Sequence, residues 1–415
     1  MAGDGDIDVL FDPDQRDQVL AYLATHCFIF DSGSASTVGR DVLVYRGFDR
    51  ASGMFVTLHV HFQCRFGSKT EKESRYAHET EMFRDQLPYQ GIMRLRDGHF
   101  FAIRLLTVAV RETAEDPYIA EIGRQYLAGL PETDREILDR SIDSYFGCVP
   151  ATLMADLAAG GAKVLHRYTS KVEAAIDLQE PRHIYASHAN DTRKKPSLRF
   201  RLAKLRGRGR SKLDRPAAIV ITGPDGAGKS TVCDLLLKKF SKIGPTYALY
   251  LGRREWRPFN STLNRMRARP GWSLVLGPIW PLTSTAELLL IALKGWAHVW
   301  LGGYVIYDRS LFDNVLKFSG GHGPTGAVAR AVSRTCAARH GHLHYFLRAD
   351  PDIALSRKPP GKYTRDYLID VERRFREVLP ATFRTIDSSE LTAEEVCNEI
   401  VSDYFKQAVH WAGRP

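Results

Sequence analysis

The spacing of apolar positions in this 415-residue chain changes near its middle. In the first half, "GRDVLVYRGF" (39–48) and "FVTLHVHFQCRF" (55–66) alternate apolar and polar residues around "DRASG", which predicts two paired strands and a turn. Helical spacing runs from Asp14 to His26 and from about Pro117 to Ile176, and "SKTEKESRYAHETEMFRDQL" reads as another helix. "GIMRLRDGHFFAIRLL" is predicted to form a second hairpin turning at Asp97-Gly98. The second half alternates strand and helix: "AAIVITG", a helix to about Lys242, "TYALYLG", helices to Trp300, then "YVIYDR", "LHYFLRAD" and "FRTIDSS", each leading towards a helical pattern. Strands separated by helices predict a parallel sheet covered on both faces. The expected fold class is α/β, with a C-terminal parallel sheet and an N-terminal α+β unit carrying a helical extension.

Charge adds a division. The net charge is +10, and between Arg193 and Arg215 eleven Lys or Arg stand against one Asp, so the remainder is close to neutral. That concentration argues against a basic nucleic-acid surface spread over a domain and for a single charged linker. The expected organisation is residues 1–192, a basic linker 193–215, and residues 216–415. Within the linker, Leu198, Leu202 and Leu205 share a helical face with Arg199, Arg201, Lys204 and Arg206 elsewhere. That pattern suits peripheral contact with an anionic membrane, or a solvated hinge, since "GRGRS" ends any helix quickly. Six cysteines without paired spacing, and no charged-then-apolar leader, predict a cytoplasmic protein, with the linker able to touch the inner membrane face. The apolar region Trp272 to Leu301 is interrupted by Pro278, Pro281, Glu287, Lys294 and His298. A charge at the bilayer centre costs roughly 3 kcal/mol, so a buried helix is predicted there.

"GPDGAGKS" matches G-x-x-x-x-G-K-[ST], with a strand before it and a helix after it. Gly223, Asp225, Gly226, Ala227, Gly228, Lys229, Ser230 and Thr231 are therefore the candidate nucleotide-binding residues. Backbone N–H groups of such a loop converge on phosphate at a helix N-terminus. Lys229 is expected to reach the β and γ phosphates of ATP, and the Ser230 hydroxyl to ligate Mg²⁺. Asp308 and Arg309 end a hydrophobic run, where a parallel sheet meets its ligand crevice. A carboxylate there can hold Mg²⁺ or its waters or orient an acceptor hydroxyl, and the guanidinium can grip phosphate.

The strings "GPDGAGKST", "VIYDRS", "FLRADPDIALSRK" and "TIDSSELTAEEV" occur in the order seen in thymidylate kinase-like P-loop kinases, which the second half resembles. The resemblance implies an ATP-dependent phosphotransferase in which Asp225 faces the acceptor, Asp308 and Arg309 serve acceptor phosphate and metal, and a mobile lid follows the fourth strand. "PDGA" holds no basic side chain, so charge on the transferring phosphoryl needs a further cation. "SRKPPGKYTR" offers Arg357, Lys358, Lys362 and Arg365, with Arg357 the first candidate. Where relatives carry "LLLFAADRAQH", whose arginine helps hold dTMP, this chain has "LLLIALKGWAH", with Lys294 and Gly295 at the acid and arginine positions. "LGRREWRPFN" replaces the "REPGG"-like string. The expected acceptor is a nucleoside monophosphate like dTMP or a sugar or glycan-linked hydroxyl. The alternative is a nucleotide-dependent binding or assembly module without phosphoryl transfer. Oligomer formation is compatible with either.

The first half is similar to nucleotidyltransferase-like domains joined to such kinases in bacterial polysaccharide gene clusters. Asp41 stands where one metal-binding acid is expected, but His59 occupies the strand that usually supplies another, and imidazole is a poor Mg²⁺ ligand. The expectation is a non-catalytic domain. His59 with His61, and His340 with His342 and His344, have spacing compatible with metal ligation. No carboxylate lies within a few residues of them to complete a set, so they read as polar strand ends.

Overall fold

The computed structural model describes residues 6–31, 42–66, 74–89, 92–111, 116–179, 213, 215–252, 265, 272–319, 323–337, 341–359, 361 and 363–411. Asp41, Lys362, His340, nearly all of the 193–215 linker and most of "LGRREWRPFN" lie outside them.

The N-terminal sheet contains β1 (Asp6–Leu10), β2 (Ile29–Phe30), β3 (Val42–Asp49) and β4 (Met54–His61), in the order β1-β4-β3-β2. Helix α1 (Arg16–Thr25) connects β1 to β2. The β3–β4 hairpin has Val42 opposite His61 and Asp49 opposite Met54, and β1 runs parallel to β4. Alternation puts Val42, Val44 and Val60 inside, as the period of two requires. Short pairs β5 (Arg65–Phe66) with β6 (Ser74–Arg75), and β7 (Leu87–Tyr89) with β8 (Ile92–Arg94), flank α2 (Glu79–Arg84).

A helical layer follows: α3 (Asp97–Arg111), α4 (Pro117–Gly129), α5 (Glu132–Phe146), α6 (Pro150–Gly160) and α7 (Thr169–Gln179). Leu105, Leu106, Ile119, Leu138, Leu153 and Val172 form its core. Two sequence expectations are corrected here. Asp97-Gly98 opens α3 and does not turn a hairpin; the hairpin is β7–β8, just before it. Apolar residues from Phe101 to Ala109 are buried at helical spacing, and Gly98 lets α3 approach the Asp134 carbonyl, to which a Cβ would come within 2.4 Å. The helix expected from "SKTEKESRYAHETEMFRDQL" shrinks, among the described residues, to α2, because Tyr76 is drawn into the core, where its hydroxyl lies 2.9 Å from Ser141 Oγ.

The C-terminal sheet comprises β9 (Ala218–Thr222), β10 (Thr246–Tyr250), β11 (Tyr304–Asp308), β12 (Leu343–Arg348) and β13 (Arg384–Asp387). All five strands are parallel, in the order β10-β11-β9-β12-β13. The central strand β9 is buried throughout, which explains its unbroken "AIVIT". One face is covered by α8 (Lys229–Phe240) and, at the C-terminus, α14 (Ala393–Trp411). The other packs α9 (Trp272–Trp300), α10 (Leu311–Lys317) and α13 (Arg365–Val378), with α11 (Gly323–Ala337) outside them and α12 (Pro351–Ser356) at the strand ends. This is the α/β architecture the spacing predicted.

Helix α9 departs from the expected buried helix. Leu288, Ala292 and Val299 face the sheet, whereas Leu290, Leu293, Trp296 and Trp300 are exposed. Among the described residues no single helix is long and apolar enough to cross a membrane.

The β3–β4 hairpin rests on the C-terminal unit. Phe48 and Phe55 pack on Phe405 of α14, with ring centroids 6.2 and 5.9 Å away. Lys239, near the end of α8, donates to the Gly53 carbonyl at 2.8 Å and pairs with Glu394 at 2.8 Å.

Candidate functional site

The carboxyl ends of β9 and β11 lie side by side, so the loop after Thr222 and the pair Asp308-Arg309 meet in one crevice. The loop from Gly223 to Gly228 curls under tight constraint. At Gly223, with φ +147°, a Cβ would lie 2.0 Å from the Leu347 carbonyl oxygen. At Gly226, with φ +96°, it would lie 2.6 Å from that of Ala354. Only glycine fits both the backbone angles and the approach. Helix α8 then begins at Gly228 with no side-chain cap, leaving its first amides to an external acceptor.

Lys229 is buried, and its ammonium donates to the Pro224 carbonyl at 2.7 Å, 3.8 Å from Asp225 Oδ1. Burial, reinforced by the Arg309 guanidinium, brings its pKa down to about 8 despite nearby carboxylates. Ser230 Oγ donates to Asp308 Oδ2 at 2.9 Å. The other oxygen, Asp308 Oδ1, is buried without a hydrogen-bond partner. A carboxylate oxygen left so, beside a hydroxyl, is a hard-oxygen donor set of the kind Mg²⁺ takes. Thr231 stands exposed on the first turn of α8.

Arg309 has a left-handed backbone, φ +80°, which a non-glycine residue adopts at a cost of about 1–3 kcal/mol unless the surroundings impose it. Here they do. Its N–H donates to the Ile221 carbonyl at 2.8 Å, and its guanidinium reaches Asp225 Oδ1 at 2.6 Å, Asp313 Oδ1 at 3.1 Å and the Tyr250 hydroxyl at 3.3 Å. Burial opposes the Arg309 charge, but Asp313 and Asp225 more than compensate and raise its pKa. Burial likewise pushes Asp225 up, yet Lys229 and Arg309 overcome this and hold it at about 2. The second oxygen of Asp225 accepts from the Tyr363 hydroxyl at 2.8 Å.

Arg357 donates to the carbonyls of Gly226, at 3.4 Å, and Ser388, at 3.0 Å, which puts a cation against the glycine loop. Of the other cations in "SRKPPGKYTR", Arg365 pairs with Asp352 at 3.3 Å. Position 295 does not point at this crevice: a Cβ on Gly295 would lie 2.1 Å from the Tyr307 hydroxyl, inside the helix–sheet interface, and Lys294 faces outward. Of the candidate histidines, His342 Nδ1 accepts the Ala218 N–H at 3.1 Å, a structural role. His59 and His61 both turn to Asp8 Oδ1 of β1, at 3.3 and 3.0 Å, a carboxylate distant in sequence. No group of three or more His, Cys, Asp or Glu among the described residues is disposed to hold a metal.

Sequence reasoning missed Tyr250, Asp313 and Tyr363. Asp313 had a local signal: in "DRSLFD" it completes a capping box with Ser310, and it also accepts from Thr222 at 2.7 Å. Tyr250 and Tyr363 had none, since their roles depend on chain brought in from 59 and 138 residues away.

No family model matches the chain, and no curated protein matches it. Among solved structures, it is similar to thymidylate kinase from Candida albicans, with 18% identity over 47% of this chain and 94% of that chain, at a TM-score of 0.37.

Proposed function

We propose that residues 216–415 transfer the γ-phosphate of ATP to an acceptor, with Mg²⁺ as the metal cofactor. The observation that carries this reading is the unpartnered, buried Asp308 Oδ1 beside the Ser230 hydroxyl, at the mouth of a glycine loop whose helix is uncapped. Ser230 and Asp308 would hold Mg²⁺, which when bound neutralises charge on the phosphate oxygens. Lys229 exchanges its bond to the Pro224 carbonyl for the phosphate chain of ATP, and the first amides of α8 bind the same oxygens. Arg357, already against the loop, and Arg309 stabilise the transferring phosphoryl. Asp225, kept ionised, accepts a hydrogen bond from an acceptor hydroxyl in place of Tyr363. The acceptor is a nucleoside monophosphate or a sugar or glycan-linked hydroxyl. The N-terminal unit serves as a docking element, and the 193–215 segment as a tether able to meet anionic lipid.

The test is γ-phosphate transfer across a library of nucleoside monophosphates, sugars and sugar phosphates. One acceptor class should be labelled, and Lys229→Ala should lower the rate at least a thousandfold. Activity unchanged by that substitution would refute the assignment. A second reading, a nucleotide-dependent assembly module, is favoured by one contact: Lys239, on the same helix as Lys229, holds the N-terminal hairpin through Gly53. Tight nucleotide binding with no transfer to any acceptor would select it.

A further inference from the structure

Asp225 turns one oxygen to cations and the other to a neutral donor. Oδ1 faces Arg309 at 2.6 Å and Lys229 at 3.8 Å, whereas Oδ2 accepts from the Tyr363 hydroxyl at 2.8 Å. The Tyr363 ring is held from two sides. It packs against the hydrophobic core shared by the sheet, α8 and α14, and it lies nearly parallel to the Tyr367 ring, with 11° between the planes and 5.5 Å between centroids. Tyr367 belongs to the first turn of α13, whose cap, Thr364, follows Tyr363 directly. Packing therefore aims this hydroxyl as much as the carboxylate does. Burial, and then the bond to Asp225, raise the phenol's pKa to about 12, so near neutral pH it keeps its proton and donates it.

We propose that Tyr363 determines specificity against water: until an acceptor arrives its hydroxyl occupies Asp225 Oδ2, so MgATP is held without being hydrolysed. This rests on the phosphotransfer reading above, in which the acceptor hydroxyl takes the same oxygen. A carboxylate beside a transferring phosphoryl orients any hydroxyl, and water is the most abundant one. Water held on Oδ2 would attack the γ-phosphorus, the bond to the β,γ-bridging oxygen would break, and ADP, inorganic phosphate and the water's proton would be released. Oδ1 is already taken by Arg309, so Oδ2 is the oxygen for which water and Tyr363 compete. The phenol makes the hydrogen bond that water would make. Its ring is tethered by the core and Tyr367, and its retained proton leaves the oxygen a weak nucleophile. Excluding water from a site that activates phosphate is what suppresses this side reaction.

Tyr363→Phe keeps the ring and removes the hydroxyl, so the far-ultraviolet circular dichroism of the full chain should not change. With MgATP and no acceptor, release of inorganic phosphate should rise at least tenfold. Adding Asp225→Asn to that variant should bring the rate back down, because the carboxylate that orients the water is gone; a fold that had merely loosened would keep the gain. Titration calorimetry with MgATP separates the two ways of failing. Hydrolysis unchanged by Tyr363→Phe in a chain that binds MgATP overturns this proposal and leaves the phosphotransfer reading standing, whereas no MgATP binding overturns both. A gain that survives Asp225→Asn overturns the proposal as well. So does phosphate found on Tyr363 by mass spectrometry after incubation with MgATP, since the phenol would then be an acceptor and not a guard.

Discussion

Nucleotide binding should draw a proton onto Lys229, in an amount that grows steeply from pH 7 to pH 9. Burial and Arg309 hold this ammonium at about 8, against an ordinary lysine value of 10.5. Ordinary titration about that value leaves about one-tenth of the chains neutral at Lys229 at pH 7, about half at pH 8 and about nine-tenths at pH 9. A polyphosphate beside the amine favours its charged form, so binding supplies the missing proton: ~0.1, ~0.5 and ~0.9 per site at the three values. Affinity should fall above pH 8, approaching tenfold per pH unit. The consequence for folding has the opposite sign. Between about pH 8 and 10.5 the unfolded chain binds the Lys229 proton and the folded chain does not, so this residue's contribution to stability rises with pH across that window. Titration calorimetry with MgATP at pH 8, in two buffers of very different ionisation enthalpy, measures the uptake directly. Lys229→Arg, which stays charged, should show none. Equal heats in both buffers, or an uptake undiminished in the arginine variant, would refute the reasoning.

Gly226→Ala should cost about 1–3 kcal/mol and abolish nucleotide binding, since both φ and the Ala354 carbonyl forbid a Cβ; thermal melting and nucleotide titration check this. Asp225→Asn should flatten the acid limb of the stability profile. The folded pKa is lowered to about 2, so the carboxylate's contribution, roughly 2 kcal/mol, is complete above the unfolded value near 3.8 and disappears as pH falls through 2; denaturant melts from pH 2 to pH 6 would reveal it. Phe405→Ala should cost about 3–5 kcal/mol and release the β3–β4 hairpin, seen as new protease cleavage between Asp49 and Met54; an unchanged digest would show that the hairpin is held elsewhere.

The sequence by itself determined the parallel sheet, because strand and helix spacing are local properties and β9 had to be apolar on both faces. It also picked out the glycine loop with Lys229 and Ser230, whose members are contiguous, and Asp308-Arg309, which ends a hydrophobic strand. It misread Asp97-Gly98, since the same dipeptide suits a tight turn and the close seating of a helix on the Asp134 carbonyl, and only packing separates the two. It treated α9 as buried, although composition cannot say how much of a helix the rest of the fold has surface to cover. Tertiary structure alone decided that Gly295 faces Tyr307 and not the crevice, that Asp8 joins His59 and His61, and that Tyr250 and Tyr363 close around Arg309 and Asp225. Those contacts come from chain direction after folding; burial then lowers the pKa of Lys229, and the Lys229 and Arg309 charges lower that of Asp225 against burial, neither of which the unfolded chain provides.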